Sequence, residues 1–175
     1  MKRMRWLWPG VCALLLAACA TVDVAQYRAE KPALDLAQYF SGPVEGWGMF
    51  QDRSGQVIKR FHVRLNGTWT GNTGTLDEVF TYADGARETR VWKIVKDGDR
   101  YTGTAGDVVG SARGEAQGNA LRWNYVLALP VDGRTWHMDM DDWMYLIDEK
   151  TMLNRTTMSK FGVKVGEVTL AFRKP

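Results

Sequence analysis

The sequence predicts an all-β protein, with residues 39–175 forming a single antiparallel up-and-down β-barrel of about eight to ten strands. Three observations indicate this fold class. Short segments alternate apolar and polar residues with the period of a half-buried strand. Dipeptides suited to tight turns separate these segments. Beyond Phe40, no amphipathic helix longer than two turns is predicted.

Turn dipeptides set the expected ends of the strands. Glycine and asparagine tolerate the positive φ angles that tight hairpins require. The dipeptides are Ser54-Gly55, Asn66-Gly67, Asp84-Gly85, Asp97-Gly98, Gly118-Asn119 and Asp132-Gly133. Alternation is clearest in residues 57–66, 119–129 and 167–174. Since each strand can pair with its neighbours in sequence, closure into a barrel would leave no edge strand exposed.

Five glycines run through residues 103–118. Glycine permits sharp coiling of a strand and close approach of another group. A phosphate-binding loop would need a helix directly after the glycines, and none is predicted here. We therefore interpret these glycines as sites of barrel curvature, and no cofactor is expected.

The N-terminal residues have the pattern of a secretory signal peptide. Lys2, Arg3 and Arg5 precede an apolar run that is shorter than the roughly 20 residues of a membrane-spanning helix. The run ends in Leu-Ala-Ala-Cys at residues 16–19, which resembles the lipobox of bacterial lipoproteins. This resemblance implies cleavage after residue 18 and lipidation of Cys19. The alternative is an ordinary signal peptide with an incidental cysteine.

The resemblance also predicts where the mature chain resides. Ala20 is not the aspartate that resembles an inner-membrane retention signal, so we expect an outer-membrane lipoprotein facing the periplasm. Its membrane contact would be the lipid anchor. Residues 19–38 would be a tether, with a short helical turn near Leu34–Tyr39.

Removal of residues 1–18 changes the charge and the cysteine count. The removed part has three basic residues and no acid, so 20 Lys+Arg and 20 Asp+Glu remain of the original 23 and 20. A net charge of zero gives no reason to expect nucleic-acid binding. Cys12 would leave with the signal peptide, so no disulfide is expected within the mature chain.

The acidic stretch at residues 136–149 raises the question of a metal site. On a strand, His137, Asp139 and Asp141 would share one face, and Trp136, Met138 and Met140 would share the other. Residues 137 and 141 would be roughly 14 Å apart. Ligand atoms must lie about 2 Å from a zinc ion, so no metal site is predicted.

Asp141 and Asp142 mark a change in this pattern. Apolar residues occupy even positions before the pair, but Trp143, Tyr145 and Ile147 occupy odd positions after it. A β-bulge at this pair would restore one apolar face. The acids would then have a structural role on the polar side, paired with arginines such as Arg122 or Arg155. The alternative is a carboxylate directed into a polar pocket.

Glu78 shares a strand face with Leu76, Phe80 and Tyr82. Two interpretations stay open for this side chain. It could be a buried acid whose pKa is raised by burial. It could instead be a salt-bridged residue near the end of a strand.

Several segments together resemble an uncharacterised family of bacterial lipoproteins known only as a domain of unknown function. These segments are YFSGPVEGWGMFQDRSG, YADGARETRVWKI, GTAGDVVGSARGEAQGNAL, DDWMYL and SKFGVKVGEVTLAFRK. They cover most of the chain from Tyr39 onward. Members are often encoded near enzymes that modify unsaturated fatty acids, so the resemblance implies a lipid context.

A more distant resemblance is to the lipocalins. Gly46 and Trp47 resemble the Gly-x-Trp motif that opens the first lipocalin strand, although the spacing differs. The resemblance implies a lipocalin-like barrel. It also implies a structural role for Trp47, with Arg173 stacking over its ring as a cation–π pair.

Three functions are compatible with these features. The first is binding of a small apolar or amphipathic ligand, such as a fatty acid or lipid, because aromatic and methionine side chains suit an adaptable apolar site. The same side chains suit a filled core. The candidate ligand-binding residues are Phe80, Tyr82, Trp123, Tyr125, Trp136, Met138 and Met140.

The second function is a structural or assembly lipoprotein with a packed barrel, whose protein partners the sequence does not identify. The third is an enzyme acting on lipids, with acid–base groups among Glu78, His137, Asp139 and Asp141. No set of nucleophile, base and orienting residue is recognisable. An enzyme is therefore not expected, and no catalytic residue is assigned.

Overall fold

The computed structural model describes residues 22–175, which form a closed barrel of ten antiparallel strands. The predicted all-β barrel is confirmed. The strands are β1 (Gly42–Asp52), β2 (Val57–Thr70), β3 (Thr73–Tyr82), β4 (Arg87–Asp97), β5 (Arg100–Thr104), β6 (Val108–Gln117), β7 (Ala120–Val131), β8 (Arg134–Leu146), β9 (Thr151–Lys160) and β10 (Val163–Arg173). Signal residues 1–18 and Cys19 lie outside the described residues.

Each strand pairs with its neighbours in sequence, and β10 pairs with β1 to close the barrel. The closing register runs from Glu45 opposite Arg173 to Asp52 opposite Gly166. Every strand therefore has a partner on both sides, which removes the exposed edge that an open sheet would leave.

Five of the six predicted turn dipeptides lie between strands, but Asn66-Gly67 lies inside β2. The turn after β2 is instead at Gly71-Asn72. Gly67 is required for a different reason. A Cβ atom at this position would be 1.6 Å from the carbonyl oxygen of Phe40, so only glycine lets the preceding segment cross so close to the strand.

One end of the barrel is capped and tightly packed. The cap consists of Leu34 and the α-helix α1 (Leu36–Tyr39), followed by Phe40. Asp35 caps the helix N-terminus and also bonds Lys96 at 2.6 Å. The helical turn expected near residues 34–39 is thus present.

The segment before this cap, residues 22–33, is not a free tether, because Val24 is buried and Tyr27 packs on the outer wall of the barrel. A 3₁₀ helix at Val24–Tyr27 lies against β6 and β7. The Tyr27 ring packs edge-to-face on Trp143 and Tyr145, with ring centroids 6.0 and 5.4 Å away. The amide of Leu34 also donates to the carbonyl oxygen of Gly118. These contacts cover an apolar patch on the outer wall that would otherwise face water.

Large aromatic rings fill the capped half of the barrel where glycines leave space. A Cβ atom on Gly114 would be 2.2 Å from the ring of Trp123, and one on Gly103 would be 2.8 Å from it. Trp123 in turn packs edge-to-face on Trp92 at 5.7 Å. The glycine-rich segment therefore accommodates a ring lying flat against the wall, in addition to allowing curvature.

Trp47 does not have the environment that the lipocalin resemblance implied. Its side chain faces outward and is 51% exposed. The ring packs against His62, with centroids 5.4 Å apart. The cation–π contacts found among the described residues do not include Arg173, which lies opposite Glu45. The expected stacking is wrong, because Arg173 is opposite Glu45 and the Trp47 ring packs against His62 instead.

Candidate functional site

The barrel interior consists of three layers between the capped end and the opposite, open end. The capped half is a continuous apolar core that includes Leu76, Trp92 and Met152. A smaller apolar cluster around Met140 and Met158 lies toward the open end. Polar side chains lie between the two apolar clusters, which also meet through the ring of Tyr125.

Six residues form this separating layer, called the polar floor below. On β3, β4 and β8, one polar residue lies between a residue of the capped core and one nearer the open end, while β9 contributes two and the turn before β6 contributes Asp107. Glu78, for example, follows Leu76 and precedes Phe80 on the inward face of β3. The polar floor comprises Glu78, Arg90, Asp107, Asp142, Asn154 and Thr156.

Glu78 and Arg90 are directly opposite each other on β3 and β4. The Arg90 Nη1 atom lies 3.9 Å from Glu78 Oε2. Arg90 is held more tightly by Asp107, because its Nε and Nη2 atoms both donate to Asp107 Oδ2, at 3.0 and 2.6 Å. Two acceptors remain: Glu78 Oε2 and Asp107 Oδ1 are buried and accept no hydrogen bond from any described residue.

Asp142 occupies the other side of the polar floor and is only 7% exposed. Its Oδ1 atom accepts a hydrogen bond from Asn154 Nδ2, and its side chain also bonds Thr156. Asn154 donates to the carbonyl oxygen of Trp143 as well, at 3.1 Å. Asp142 is therefore held in place by the neighbouring strand β9.

Burial keeps two of these carboxyl groups partly protonated near neutral pH. Burial raises the pKa of Glu78 to about 7, because the charged form loses its hydration; Arg90 opposes this effect, and Asp107 and Asp142 add to it. Burial likewise raises the pKa of Asp142 to about 6, against the hydrogen bonds from Asn154 and Thr156. Such groups can donate or accept a proton, or accept a hydrogen bond from a bound molecule.

For Glu78, both interpretations of its sequence pattern hold in part. The side chain is 9% exposed and has a raised pKa, as expected of a buried acid. It also lies beside an arginine, although at 3.9 Å and without a hydrogen bond. The buried-acid interpretation describes it better, because Glu78 is in the interior of β3 and not near the end of the strand.

The β-bulge expected at Asp141–Asp142 is wrong. Pairing is regular on both sides of β8, with Asp141 opposite Asn124 and Thr157, and Asp142 opposite Trp123 and Thr156. The even-numbered residues of β8 face inward along the whole strand, so Asp142 points inward. The misleading signal came from apolar side chains on the outer face of β8, which the N-terminal segment covers.

Asp141 pairs with Arg122, one of the two arginines suggested from the sequence. Its carboxylate faces outward and accepts hydrogen bonds from Arg122 Nε at 2.7 Å and Nη2 at 3.0 Å. Arg155, the other suggested partner, bonds Glu167 instead, at 2.8 and 2.9 Å. No arginine within residues 22–175 makes a hydrogen bond to Asp142, which corresponds to the alternative of a carboxylate in a polar pocket.

Most candidate ligand-binding residues are on inward-facing positions. Trp123 and Met140 are buried, and partly exposed side chains extend toward the open end, where Trp136 is at the rim. Tyr125 is close to the polar floor. Burial raises its pKa, and the negative charge of Asp142 raises it further. The inward-facing, partly exposed members are Phe80, Tyr82, Tyr125 and Met138.

Other apolar side chains join them in the open half. The rings of Phe61 and Phe80 have centroids 5.7 Å apart, and Tyr82 is 6.1 Å from Phe61. Phe50 and Leu129 are also only partly buried. The open half thus has an apolar lining that is partly exposed, whereas the side chains of the capped half are buried.

The wall of the barrel is incomplete near Arg90, because strand β5 is short. Strand β4 pairs with β5 only from Lys93 to Asp97, so its first residues, 87–92, have no β5 partner. The Arg90–Asp107 ion pair spans this gap. The polar floor is therefore close to an indentation in the wall as well as below the open end.

Two clefts lie outside this interior. One, of about 540 Å³, is beneath the N-terminal segment and is lined by arginines 100, 113 and 122 together with Glu115. The other, of about 400 Å³, follows the irregular pairing of β6 with β7 and includes atoms of Tyr125 and Met140. Neither contains the carboxyl groups of Glu78 and Asp142.

The acid–base residues named from the sequence do not converge. His137, Asp139 and Asp141 occupy outward positions of β8, while Glu78 points into the barrel. Within residues 22–175, no three histidine, cysteine, aspartate or glutamate side chains could hold a metal ion together. The same residues include no helix long and apolar enough to cross a membrane.

Sequence reasoning missed Arg90, Asp107, Asn154 and Thr156 as members of the site. Three of these residues had a usable signal. Arg90 shares its parity with Trp92 and Ile94, and Asn154 and Thr156 share theirs with the buried methionines of β9. A polar residue on an apolar strand face indicates a buried polar site. Asp107 is in a turn and had no such signal.

A model of one protein family matches residues 13–174. The chain belongs to the family described as protein of unknown function DUF3833. The expected membership of a family of unknown function is thus confirmed, while the lipoprotein character stays a prediction. No curated protein matches this DUF3833 member.

Solved structures share the barrel at low sequence identity. A protein of unknown function from the DUF3598 family of Nostoc punctiforme is 11% identical, with a TM-score of 0.59 over 83% of this chain and 51% of that one. The DUF3833 chain therefore spans about half of the Nostoc protein. An S-type phycobiliprotein lyase from Guillardia theta is 7% identical, with a TM-score of 0.57 over 81% of this chain and 94% of that one. These similarities show the fold.

Proposed function

We propose that the protein is a ligand-binding lipoprotein whose barrel holds a small amphipathic molecule, a lipid or fatty acid derivative, with its polar end on the polar floor. One observation supports this most: two carboxyl oxygens without a partner among the described residues, on Glu78 and Asp107, lie between a buried apolar half and a partly exposed apolar half. The geometry favours entry with the polar end first, because the capped half has no space for an acyl chain.

The apolar body of the ligand would contact the open half. Phe61, Phe80 and Tyr82 supply aromatic surface, and Met138 and Met140 are flexible enough to adapt to a chain. Ligand sites in proteins are commonly of this kind, with an apolar lining and a few polar groups that fix orientation.

The polar end of the ligand would donate hydrogen bonds or carry a positive charge. Glu78 Oε2 and Asp107 Oδ1 are acceptors without partners, and leaving them unpaired is costly. Arg90 is already engaged by Asp107 and Glu78. A free carboxylate would add a negative charge beside three acidic side chains, so an alcohol, amide or amine suits the polar floor better than an ionised fatty acid.

The same proposal includes the location of the protein. Lipidation of Cys19 would anchor the barrel to the outer membrane on its periplasmic side. Val22 packs near the outer wall of the barrel, and the three residues from Cys19 to Val22 can span at most about 10 Å. The anchor would therefore keep the barrel close to the membrane surface, where an acyl-chain ligand is available.

A second candidate function is catalysis on such a ligand. It is favoured by the pKa of Glu78, which burial raises to about 7, where a carboxyl group can act as a general acid or base. The Guillardia protein that shares this fold is a phycobiliprotein lyase. Turnover that depends on Glu78 would support this candidate over simple binding.

The binding proposal is tested by mass spectrometry and by titration. Native mass spectra of protein extracted gently from its host should contain a co-purifying amphiphile. Dodecylamine, dodecanol and dodecanoate are then added below their micellar concentrations at pH 8, with tryptophan fluorescence as the signal. Trp92 and Trp123 border the polar floor, so binding should change their emission.

The amine and the alcohol should bind more tightly than dodecanoate. Glu78→Gln should weaken the preference for the amine, because it removes the unpartnered anionic acceptor. Glu149→Gln, an exposed change in the turn between β8 and β9, is the matched control and should leave the preference unchanged. A clean unliganded mass together with no response to any of the three amphiphiles would refute the proposal.

A further inference from the structure

Exposed apolar side chains are concentrated on one arc of the open rim. Three hairpins form this arc, at residues 52–60, 130–136 and 159–164. They belong to the strand pairs β1–β2, β7–β8 and β9–β10, which are consecutive around the barrel. The exposed large apolar residues of this rim arc are Val57, Ile58, Val131, Trp136, Phe161 and Val163. Of the two remaining hairpins at this end, the one at residues 83–86 contributes none among the described residues, and the β5–β6 hairpin contributes Val109 alone, at the second position of β6.

Phe161 occupies a position that is unfavourable for folding alone. It is 87% exposed, and its φ angle is +51°, followed by Gly162 at +75°. Two consecutive positive φ angles define a turn that favours Asn-Gly or Asp-Gly. The neighbouring β7–β8 hairpin follows this rule with Asp132-Gly133 at +50° and +75°. An exposed aromatic residue in a left-handed conformation costs stability, so its presence points to a role outside the fold.

Basic residues surround the apolar side chains of the rim arc. The three hairpins contain six basic residues, of which Lys164 is paired with Glu167 of β10, and only two acids, Asp52 and Asp132. The other five basic residues are Arg53, Lys59, Arg60, Arg134 and Lys160. Asp52 is engaged within its own turn, where it accepts bonds from Ser54 and Gln56. The mature chain as a whole is predicted to be neutral, so this excess of positive charge is local.

We infer that the rim arc docks on an anionic phospholipid surface, as a second membrane contact apart from any N-terminal anchor. Aromatic and aliphatic side chains flanked by lysine and arginine are the combination that binds the interface of anionic bilayers. A protein partner would also cover apolar residues, but the excess of basic charge favours phosphate head groups. The inference depends on residues of the rim, of which only Trp136 is also a candidate contact of the proposed interior ligand, and it does not require that ligand to bind.

Amide hydrogen exchange of the full-length protein tests the inference. The protein is reconstituted into vesicles of phosphatidylcholine alone or of phosphatidylcholine with phosphatidylglycerol. Exchange in the peptide covering residues 157–166 should slow on the anionic vesicles relative to the neutral ones. The turn at residues 70–73 is at the opposite end of the barrel and is the internal control, which should exchange equally on both.

Phe161→Asn separates docking from folding. Asparagine suits the positive φ angle, so the variant should melt at the same or a higher temperature while losing the protection on anionic vesicles. Equal exchange of residues 157–166 on both kinds of vesicle would overturn the inference, as would full protection in Phe161→Asn. Protection that requires an added envelope protein fraction would overturn it in favour of a protein partner.

Discussion

Replacing Glu78 by glutamine should stabilise the protein at pH 8 and reduce the pH dependence of its stability. Glu78 is 9% exposed and has no hydrogen bond to Oε2, so its charged form is disfavoured in the folded state. Burial raises its pKa from 4.5 to about 7. At about 1.4 kcal/mol for each unit of pKa, ionisation of this group costs the folded state about 3 kcal/mol.

The sign follows from proton binding. Between pH 4.5 and 7 the folded protein holds more protons on Glu78 than the unfolded chain does, so the free energy of unfolding falls as pH rises through this window. The cost is complete above pH 7 and absent below pH 4.5. Glutamine has nearly the same shape and no charge, and Arg90 keeps its partner Asp107 at 2.6 Å.

Urea unfolding at several pH values between 4 and 8 measures the effect. Glu78→Gln should exceed the wild type by up to about 3 kcal/mol at pH 8 and match it near pH 4. A remaining decline toward pH 6 belongs to Asp142, whose pKa burial raises to about 6. Glu149→Gln, on the surface, should leave the profile unchanged. Equal slopes for Glu78→Gln and wild type, or a loss of stability at pH 8, would refute the reasoning.

Two further predictions concern packing. Gly114→Ala places a Cβ atom 2.2 Å from the ring of Trp123 and 3.1 Å from the carbonyl oxygen of Arg122. It should lower the free energy of unfolding in urea by about 1–3 kcal/mol. An unchanged free energy would mean that the ring can move. Leu36→Ala removes a cap residue that is 3% exposed and should cost about 2–5 kcal/mol. A stability equal to that of wild type would mean that the N-terminal segment is a tether after all.

Predictions that depended on a few neighbouring residues, such as the turn dipeptides, were mostly confirmed. Asp84-Gly85, Asp97-Gly98 and Asp132-Gly133 mark real hairpins, because the turn preference is a property of the dipeptide itself. Asn66-Gly67 has the same signature but lies within β2, where the glycine is needed for contact with Phe40. A dipeptide cannot indicate that another segment will cross it.

The polar floor was less predictable because parity alone does not identify the inward face. Trp143 and Tyr145 have the composition of an inward face, yet Tyr27 covers them from outside. This contact joins residues more than a hundred positions apart, so nothing near Asp142 in the sequence revealed it. The assumed bulge followed from treating both apolar sets as interior.

The sequence by itself determined that the chain forms hairpins and closes as an all-β barrel, because alternation and turn preference are encoded within a few residues. Only the tertiary structure decided what the barrel contains. Glu78, Arg90, Asp107 and Asp142 come from four separate parts of the chain and meet because closure brings their strands around a common interior. Their raised pKa values depend on burial, and their ion pairs depend on the distances between them. Both are established only once the barrel is closed.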